Sequence, residues 1–293
     1  MIFRLRSPVA VVCGLLISLA TWAQAAELPR QESVPGGIAV IKLDTSAEHP
    51  PKASYKGKPV MVLRHQDGWY AVIGIPLSAK TGKHLLKTSS AGRDKTYRFQ
   101  VKDKAYETQH ITIKDKRKVT PNADDLKRIR AESKQISAAL SHWDDRAYTD
   151  SPLLELPAEG PLSSPFGLRR FFNELPRKPH SGIDIAASKG APITAPAGAK
   201  VILTGNFFFN GNSVFLDHGQ GLITMYCHMD TIEVREGEMV ERGQRIGTIG
   251  MTGRVTGPHL HWSVSLNDAR IDPGLIVPAL QPSLAADQPA PGE

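Results

Sequence analysis

The stretch Gly257-Pro-His-Leu-His-Trp-Ser-Val264 shows how the second half of this chain folds. Alternate residues of a β-strand point to the same side, so a strand from residue 259 places His259 and His261 on one face without distortion of the chain. Histidine is the commonest neutral metal ligand and the only side chain that ordinarily titrates near pH 7. The pair therefore predicts a site for metal binding, for proton transfer, or for both.

A second stretch, His180-Ser-Gly-Ile-Asp184, places an imidazole and a carboxylate around a glycine. A bent loop or a strand end brings both onto one ion, and the strand of His259 and His261 then supplies one more protein ligand. Two histidines, one carboxylate and a position left open for water form the ligand set of hydrolytic zinc sites. A third stretch, Tyr226-Cys-His228, offers a further imidazole for proton transfer.

The region around these stretches, residues 155–280, consists of short apolar runs punctuated by glycines. This pattern is typical of an all-β layered or barrel-like domain, and we expect antiparallel strands. The predicted strands are residues 199–203, 213–216, 222–228, 244–249 and 259–264.

The upstream region, residues 27–117, also reads as β-rich. Its apolar runs, one of them following an Asp67-Gly68 turn, and its alternating segments predict a small β-sandwich. The segments are residues 37–43, 59–63, 69–75, 97–101 and 110–113.

Residues 120–143 are predicted to form a linking α-helix. Thr120 is suited to cap it and Pro121 to its first turn. Five apolar residues recur at helical spacing and predict a stripe that docks against one or both domains. They are Leu126, Ile129, Ile136, Leu140 and Trp143.

The two ends of the chain have compositions of their own. Residues 1–25 resemble a secretory signal peptide, with Arg4 and Arg6 before an apolar run and a small-residue pattern at Ala23-Gln-Ala25. An uncleaved membrane anchor is the alternative, although the run is short for a span of ~20 residues. Residues 281–293 are rich in proline and alanine and predict a flexible tail.

Export agrees with the remaining composition. Removal of the signal segment leaves Cys227 as the single cysteine, so no internal disulfide is expected, and this residue is best explained as a small buried strand residue. The formal net charge is +7, with basic residues spread along the chain and no nucleic-acid-binding motif. A basic exported protein suits an anionic polymer of the cell envelope, and a nucleic-acid partner is not expected.

From Ser164 to Pro273 the chain resembles the lysostaphin-type (LytM-like) zinc peptidases, and the upstream sandwich and helix are similar to the exported Gram-negative members. The matching segments are Ser164-Pro-Phe-Gly-Leu-Arg169, His180-Ser-Gly-Ile-Asp184-Ile-Ala-Ala187, Ala195-Pro-Ala-Gly198, Tyr226-Cys-His228, Val240-Glu-Arg-Gly-Gln244, Ile246-Gly247, Thr252-Gly253 and Gly257-Pro-His-Leu-His261.

The resemblance implies one Zn²⁺ ion with His180, Asp184 and His261 as its ligands. His228 and His259 match the pair that lines the metal without binding it, and they are implied to orient water, to accept its proton and to stabilise the oxyanion. Which of the two is the general base stays open.

Four other residues lie near these motifs. His218, in an Asp-His-Gly turn, is expected to be structural. Phe166 and Arg169 either border the groove or serve packing and a salt bridge. Relatives often carry a tyrosine shortly before the first histidine. In this chain Asn173 lies in that neighbourhood and is expected to offer a hydrogen bond instead.

The implied substrate is bacterial peptidoglycan, cut in the periplasm or outside the cell. The exported Gram-negative type favours a D,D-endopeptidase acting on the D-alanyl–diaminopimelate cross-link, and glycine-rich bridges are the alternative. A metal-free activator of cell-wall amidases is a second hypothesis, which the complete ligand set disfavours. The sandwich is also a candidate wall- or partner-binding module. Because relatives often close the cleft with an upstream segment, the N-terminal region and helix are candidates for that role.

Overall fold

The computed structural model describes residues 27–281 of the 293-residue chain. The expected signal segment, residues 1–25, lies outside the described residues, as do residues 282–293 of the expected tail. Within residues 27–281, no helix is both long and apolar enough to cross a bilayer. The described region is mostly antiparallel sheet with one α-helix, which confirms the predicted fold class.

Seven strands build the N-terminal β-sandwich: β1 (Ile38–Leu43), β2 (Lys52–Tyr55), β3 (Lys58–Pro59), β4 (Met61–His65), β5 (Gly68–Gly74), β6 (Gly82–Ser90) and β7 (Arg93–Val101). They form two sheets, with strand orders β1-β5-β4 and β3-β2-β6-β7. Apolar side chains from both sheets, among them Val62, Ile73 and Leu86, are buried together. The predicted turn at Asp67-Gly68 joins β4 to β5.

The rest of the described chain contains one α-helix, three short 3₁₀ helices and thirteen strands. The α-helix and the strands are β8 (Thr108–Ile111), α1 (Ala123–Leu140), β9 (Leu162–Ser164), β10 (Arg169–Phe172), β11 (Leu175–Pro176), β12 (Ile183–Ile185), β13 (Pro192–Thr194), β14 (Ala199–Phe207), β15 (Gly211–Asp217), β16 (Leu222–Ile232), β17 (Met239–Val240), β18 (Arg245–Ile249), β19 (Leu260–Leu266) and β20 (Ala269–Ile271).

A ten-stranded antiparallel sheet forms the C-terminal domain, with the main order β17-β14-β15-β16-β19-β12-β9. Tyr226 of β16 pairs with Trp262 of β19, and both are fully buried in the largest apolar core. The next pair, Cys227 and His261, points to the opposite face because strand side chains alternate. The predicted site is therefore on the face turned away from the main core.

Helix α1 is shorter than the predicted residues 120–143. Asn122, not Thr120, is its N-cap: the Asn122 side chain accepts from the Asp125 N–H, and the Asp125 carboxylate accepts from the Asn122 N–H. This reciprocal capping box satisfies two backbone donors at once, which a cap at Thr120 would not do here. Thr120 instead follows a 3₁₀ turn and its N–H donates to the carbonyl of Lys116. Trp143 lies beyond the end of the helix.

The apolar stripe of α1 has two different environments. Near its C-terminal end, Ile136 and Leu140 pack with Phe215 and Met225 on the sheet face that also carries the histidines. Near its N-terminal end, Leu126 keeps 41% of its surface exposed, so the expected continuous core stripe is interrupted there. The N-terminal half of the helix instead forms a wall of an open cavity.

A strand pairing and a buried side chain are among the further contacts that connect the upstream region to the C-terminal domain. Strand β8 pairs in parallel with β10, so it extends a small sheet of the C-terminal domain and not the sandwich to which its alternating sequence assigned it. Alternation predicts a strand but does not identify its partner. The sandwich itself is joined through the buried Asn267 side chain, which accepts from the N–H of Gly74 and donates to the Gly74 carbonyl.

Candidate metal centre

Three side chains converge beside strands β12 and β19. His180 Nε2 lies 3.0 Å from Asp184 Oδ1 and 3.0 Å from His261 Nδ1, and the latter two atoms are 2.8 Å apart. Nitrogen and oxygen ligands of a tetrahedral zinc site lie about 3.3 Å from one another, given bonds of about 2.0–2.1 Å. The three atoms are thus spaced as ligands of one small cation.

The ring nitrogens of His180 and His261 that point away from the cluster also agree with a metal site. His180 Nδ1 is 2.7 Å from the carbonyl of Pro165, an atom that only accepts, so Nδ1 carries the proton and a neutral ring leaves Nε2 with a lone pair. His261 Nε2 lies 3.0 Å from the Ser263 hydroxyl, and when Nε2 donates to that oxygen, Nδ1 keeps its lone pair. Inward-facing lone pairs of two imidazoles beside a carboxylate repel one another unless a cation lies between them, so the donor set fits a metal ion.

Local backbone geometry brings these ligands together. Asp184 of β12 and His261 of β19 are directly paired residues of neighbouring strands. His180 precedes β12 in a loop that passes so close to β19 that a Cβ on Gly182 would lie 2.3 Å from the carbonyl oxygen of Trp262. Only glycine permits this approach, and the predicted bend between His180 and Asp184 depends on it.

Arg170 is a site residue that sequence reasoning missed. Its guanidinium donates to Asp184 Oδ2 at 2.9 Å and to the hydroxyl of Ser164 at 2.8 Å, so it orients the carboxylate whose other oxygen faces the histidines. Burial alone would raise the pKa of Asp184, but the adjacent His180 and His261 outweigh it and hold that pKa well below its usual range. Asp184 is therefore ionised, as a metal ligand must be.

His228 reaches the cleft through a β-bulge. Between the pairs Asn212–Met229 and Val214–Tyr226, strand β16 has two residues opposite one residue of β15. His228 adopts φ +65°, in the left-handed region that non-glycine residues seldom occupy. Strict alternation would send its side chain to the core face; the bulge instead brings its ring centroid to 6.2 Å from that of His261.

His228 and His259 form a second pair beside the three ligands, with ring centroids 4.9 Å apart. Each donates from Nδ1 to a backbone carbonyl, His228 to Thr252 and His259 to Gly257, so Nε2 is the available nitrogen of the neutral ring. Burial, and then the neighbouring His261 and His259, lower the pKa of His228 to about 3. The ring of His228 is therefore neutral at pH 7, with the lone pair of Nε2 exposed to the cleft.

Several other residues singled out in the sequence are not part of the cluster. His218 is buried and bonded to the carbonyl of Gly198 and to Thr224, as expected for a structural residue. Cys227 is a free, buried thiol, and burial raises its pKa to about 12, which excludes a thiolate nucleophile near neutral pH. Phe166 is buried in the core and Arg169 is exposed.

The hydrogen bond expected from Asn173 to the site is not present. Its side chain instead bonds to both the N–H and the carbonyl of Ile113, which fixes the segment after β8. The neighbourhood before His180 therefore serves to join the linking segment to β10, a long-range contact that has no signature in the sequence.

A cavity of about 630 Å³ opens beside the cluster. Its lining includes His180, His228 and His261, together with Leu126 and Ile129 of α1. A peptide reaching the cluster through this cavity would thus meet histidines, an apolar helix face and the loops between them. The arrangement can bind one metal ion, hold an extended ligand beside it and move protons through two adjacent imidazoles.

Two family models match this chain. Residues 178–273 match the model for peptidase family M23, and residues 31–104 match the model for the N-terminal domain of peptidase family M23. The first range includes all five predicted site residues, and the second covers the sandwich strands up to residue 101.

Curated relatives are similar over more than a third of this chain. Peptidoglycan DD-endopeptidase ShyA of Vibrio cholerae is 43% identical over 104 residues, which cover 35% of this chain and 24% of the relative. DD-carboxypeptidase/endopeptidase Mpg of Neisseria meningitidis is 38% identical over 112 residues, which cover 38% of this chain and 26% of the relative. The match thus spans about a quarter of the length of these relatives.

A solved structure extends the similarity to both domains. The crystal structure of a protein assigned to peptidase M23 from Pseudomonas aeruginosa superimposes with a TM-score of 0.71 at 45% identity, and the match covers 84% of this chain and 95% of that one. The match covers 95% of that structure, and 45% sequence identity is well above what a shared fold alone would produce. This chain therefore belongs to peptidase family M23.

Proposed function

We propose that this chain is a zinc-dependent endopeptidase that hydrolyses peptide cross-links of bacterial peptidoglycan. The observation that carries the proposal is the convergence of His180 Nε2, Asp184 Oδ1 and His261 Nδ1 within about 3 Å of one another. Two imidazoles and a carboxylate in this spacing suit one zinc ion with a position left open, and the cavity lies beside them.

When bound, zinc supplies Lewis acidity, which polarises a peptide carbonyl and makes water more acidic near neutral pH. The protein fixes the ligands that hold it: the Pro165 carbonyl orients the ring of His180, and Arg170 orients the carboxylate of Asp184. Hydrogen bonds of this kind hold the metal ligands in the orientation that catalysis requires.

His228 and His259 handle the protons in this proposal. With each Nδ1–H donated to a backbone carbonyl, the Nε2 of one ring accepts the proton of the attacking water and later delivers it to the leaving amine. The second ring, donating from Nε2 when protonated, stabilises the negative charge on the carbonyl oxygen. The left-handed backbone of His228 is strained, and strain of this kind persists where it places a functional group.

The scissile bond we propose is the D-alanyl–diaminopimelate cross-link. The relatives ShyA and Mpg, named as a DD-endopeptidase and a DD-carboxypeptidase/endopeptidase, support this bond over the glycine-rich alternative. Such a substrate lies in the cell envelope, so we also propose a periplasmic or secreted location, with residues 1–25 as the signal segment.

A non-catalytic activator of amidases is the competing function. It requires no metal ligands, whereas this chain retains His180, Asp184 and His261 in ligand spacing and the pair His228 and His259 beside them. The intact set therefore favours the enzyme.

Defined muropeptides test the proposal. Cross-linked D-alanyl–diaminopimelate dimers and glycine-bridged dimers are incubated with the zinc-loaded protein, with and without a chelator, and products are read by mass spectrometry. We expect monomers from the first substrate only, and none with the chelator. Cleavage that survives chelation contradicts the metal mechanism, and no cleavage of either dimer favours the activator.

A further inference from the structure

The cavity beside the metal centre carries an excess of positive charge. Four arginines line it, together with Lys178, and no aspartate or glutamate is among its lining residues. Arg170 is matched by Asp184, but Arg177, Arg254 and Arg270 have no ion pair with any carboxylate of residues 27–281. Unpaired guanidinium groups at a partly buried site are costly, so a cluster of them calls for an anionic partner.

The present hydrogen bonds satisfy these arginines only in part. Arg177 donates from Nη2 to the carbonyl of Val119 at 2.8 Å, and its buried Nε has no partner among the described residues. Arg254 donates from Nη1 to the carbonyl of Lys118 at 3.4 Å. The buried Nε of Arg270 likewise has no partner within the described region. A guanidinium offers five N–H donors, so most of this donor capacity is uncommitted.

Arg254 is held in a fixed orientation. Its guanidinium carbon lies 4.6 Å from the ring centroid of Phe172 and 4.3 Å from that of Phe209. Stacking between two rings limits the side-chain freedom that binding an anion would otherwise have to remove. Burial, and then the nearby Arg177 and Arg170, lower the pKa of Arg254 to about 10, so the group stays charged at neutral pH.

Chain connectivity links both arginines to the reacting centre. Arg177 is three residues before the proposed ligand His180. Arg254 lies in the loop before β19, in which the carbonyl of Thr252 fixes the ring of His228. Both side chains line the same cavity as His180, His228 and His261. A group bound by these arginines is thereby held in the space where the substrate bond would lie.

We propose that Arg177 and Arg254 bind a carboxylate of the peptide substrate in this cavity. When no substrate is present, one N–H group of each arginine donates to a backbone carbonyl instead, Arg177 to Val119 and Arg254 to Lys118. The inference rests on the proposed endopeptidase function. Guanidinium groups bind carboxylates through parallel N–H···O bonds, which makes an acid, and not an amide, the matching group.

The substrate chemistry identifies one carboxylate. In the D-alanyl–diaminopimelate cross-link, the carbon that bears the scissile amide nitrogen also carries a free carboxylate. It is therefore the acidic group nearest the bond that is cut, and a cavity of about 630 Å³ that reaches the metal centre can accept both together. Arg177 and Arg254 are thus specificity residues, which recognise the carboxylate on the amine side of the scissile bond.

A matched pair of substrates tests this assignment. One cross-linked dimer has the free carboxylate, and its twin has a carboxamide at that position. We expect the native enzyme to favour the acid by about 10- to 100-fold in kcat/KM, the range for charge-assisted hydrogen bonds. Arg177→Gln and Arg254→Gln should each move this ratio towards one, whereas Arg254→Lys should retain part of it.

Arg242→Gln is the control, since Arg242 is an exposed arginine near Glu155 and outside the cavity lining, and it should keep the native ratio. Thermal unfolding of each variant separates loss of folding from loss of specificity. Equal rates for the two dimers with the native enzyme overturn the proposal. So does a native acid-to-amide ratio in folded Arg177→Gln and Arg254→Gln.

Binding is measured separately so that failure of the endopeptidase function is recognisable. The full-length protein is freed of metal with a chelator and titrated calorimetrically with each dimer, so that binding is measured without hydrolysis. If the native protein binds the acid more tightly than the amide and Arg254→Gln loses this preference, the carboxylate site is supported, even when neither dimer is cut. Failure to cut either dimer would then refute only the endopeptidase function. Equal binding of acid and amide refutes the site itself.

Discussion

Asp184 and His261 lie directly opposite one another on adjacent antiparallel strands, and Asp184 Oδ1 is 2.8 Å from His261 Nδ1. Because paired residues of a sheet have fixed Cβ separation, two of the proposed ligands are positioned by the sheet itself. Only His180 has to be delivered by a loop. A site built largely on strands is more rigid than one built on loops, which suits a metal centre.

Exchange of the histidines should divide them into two roles. We expect His261→Ala to lose zinc and activity together, since it removes a ligand. His259→Ala should retain zinc and lower turnover by roughly 10²–10⁴-fold, as for loss of an acid–base group. Zinc content by atomic absorption and turnover on a muropeptide dimer are measured in parallel. Equal loss of zinc in both variants would refute this division.

Arg170 should influence metal affinity without binding the metal. Arg170→Gln removes the hydrogen bond to Asp184 Oδ2, and we expect zinc affinity to fall about 10- to 100-fold, as is typical when a ligand loses its orienting partner. Competition with a chelator of known affinity measures the change. Arg169→Gln, at the exposed neighbouring position, serves as the control. A similar loss in both variants would argue against the contact with Asp184.

The start of α1 offers a test by stability. Asn122→Ala removes the capping box and should lower the free energy of unfolding by about 1 kcal/mol. Thr120→Ala, at an exposed position before the cap, should change it by less than about 0.5 kcal/mol. Denaturant titration of both variants decides the matter, and a larger effect at Thr120 would restore the cap predicted from the sequence.

His218 should make stability depend on pH. Burial lowers its pKa in the folded state to about 4, below the ordinary value of 6.5, so between these values the unfolded chain binds the extra proton. Stability contributed by the neutral ring is thus present above pH 6.5 and lost as the pH falls towards 4. At pH 4.5 the loss from this group is about 2–3 kcal/mol.

The measurement is denaturant unfolding of the metal-free protein from pH 4.5 to 7, for the native chain and for His218→Gln. We expect the free energy of unfolding to rise less steeply with pH in the variant. Parallel curves for the two proteins would mean that His218 does not resist protonation in the folded state.

Regular patterns in the sequence predicted much of this structure. His259 precedes β19 in the fold, and its ring and that of His261 both lie near the ring of His228. The Gly182 between His180 and Asp184 marked the bend that brings those residues together. The sandwich and the antiparallel C-terminal sheet follow from short apolar runs and turn signals. Each of these features depends on residues close together in the chain, which is why spacing was sufficient.

Features that depend on distant contacts were not predictable. The bulge that turns His228 towards the cleft arises where β15 and β16 lose register, and the sequence near residue 228 contains no glycine to mark it. Arg169 and Arg170 are adjacent, and the contact of one of them with Asp184 becomes visible only in the fold. Thr120 and Asn122 are both suitable N-cap residues, and only the reciprocal hydrogen bonds between Asn122 and Asp125 in the fold show which of them caps the helix.

The most direct test of the account is crystallographic. Crystals of the protein grown with zinc and measured at the zinc absorption edge should show one anomalous peak about 2.0–2.2 Å from His180 Nε2, Asp184 Oδ1 and His261 Nδ1. Absence of a peak there would contradict the account. So would a sole peak at His142, Asp144 and Asp217, another group in residues 27–281 whose ligand atoms lie near one another.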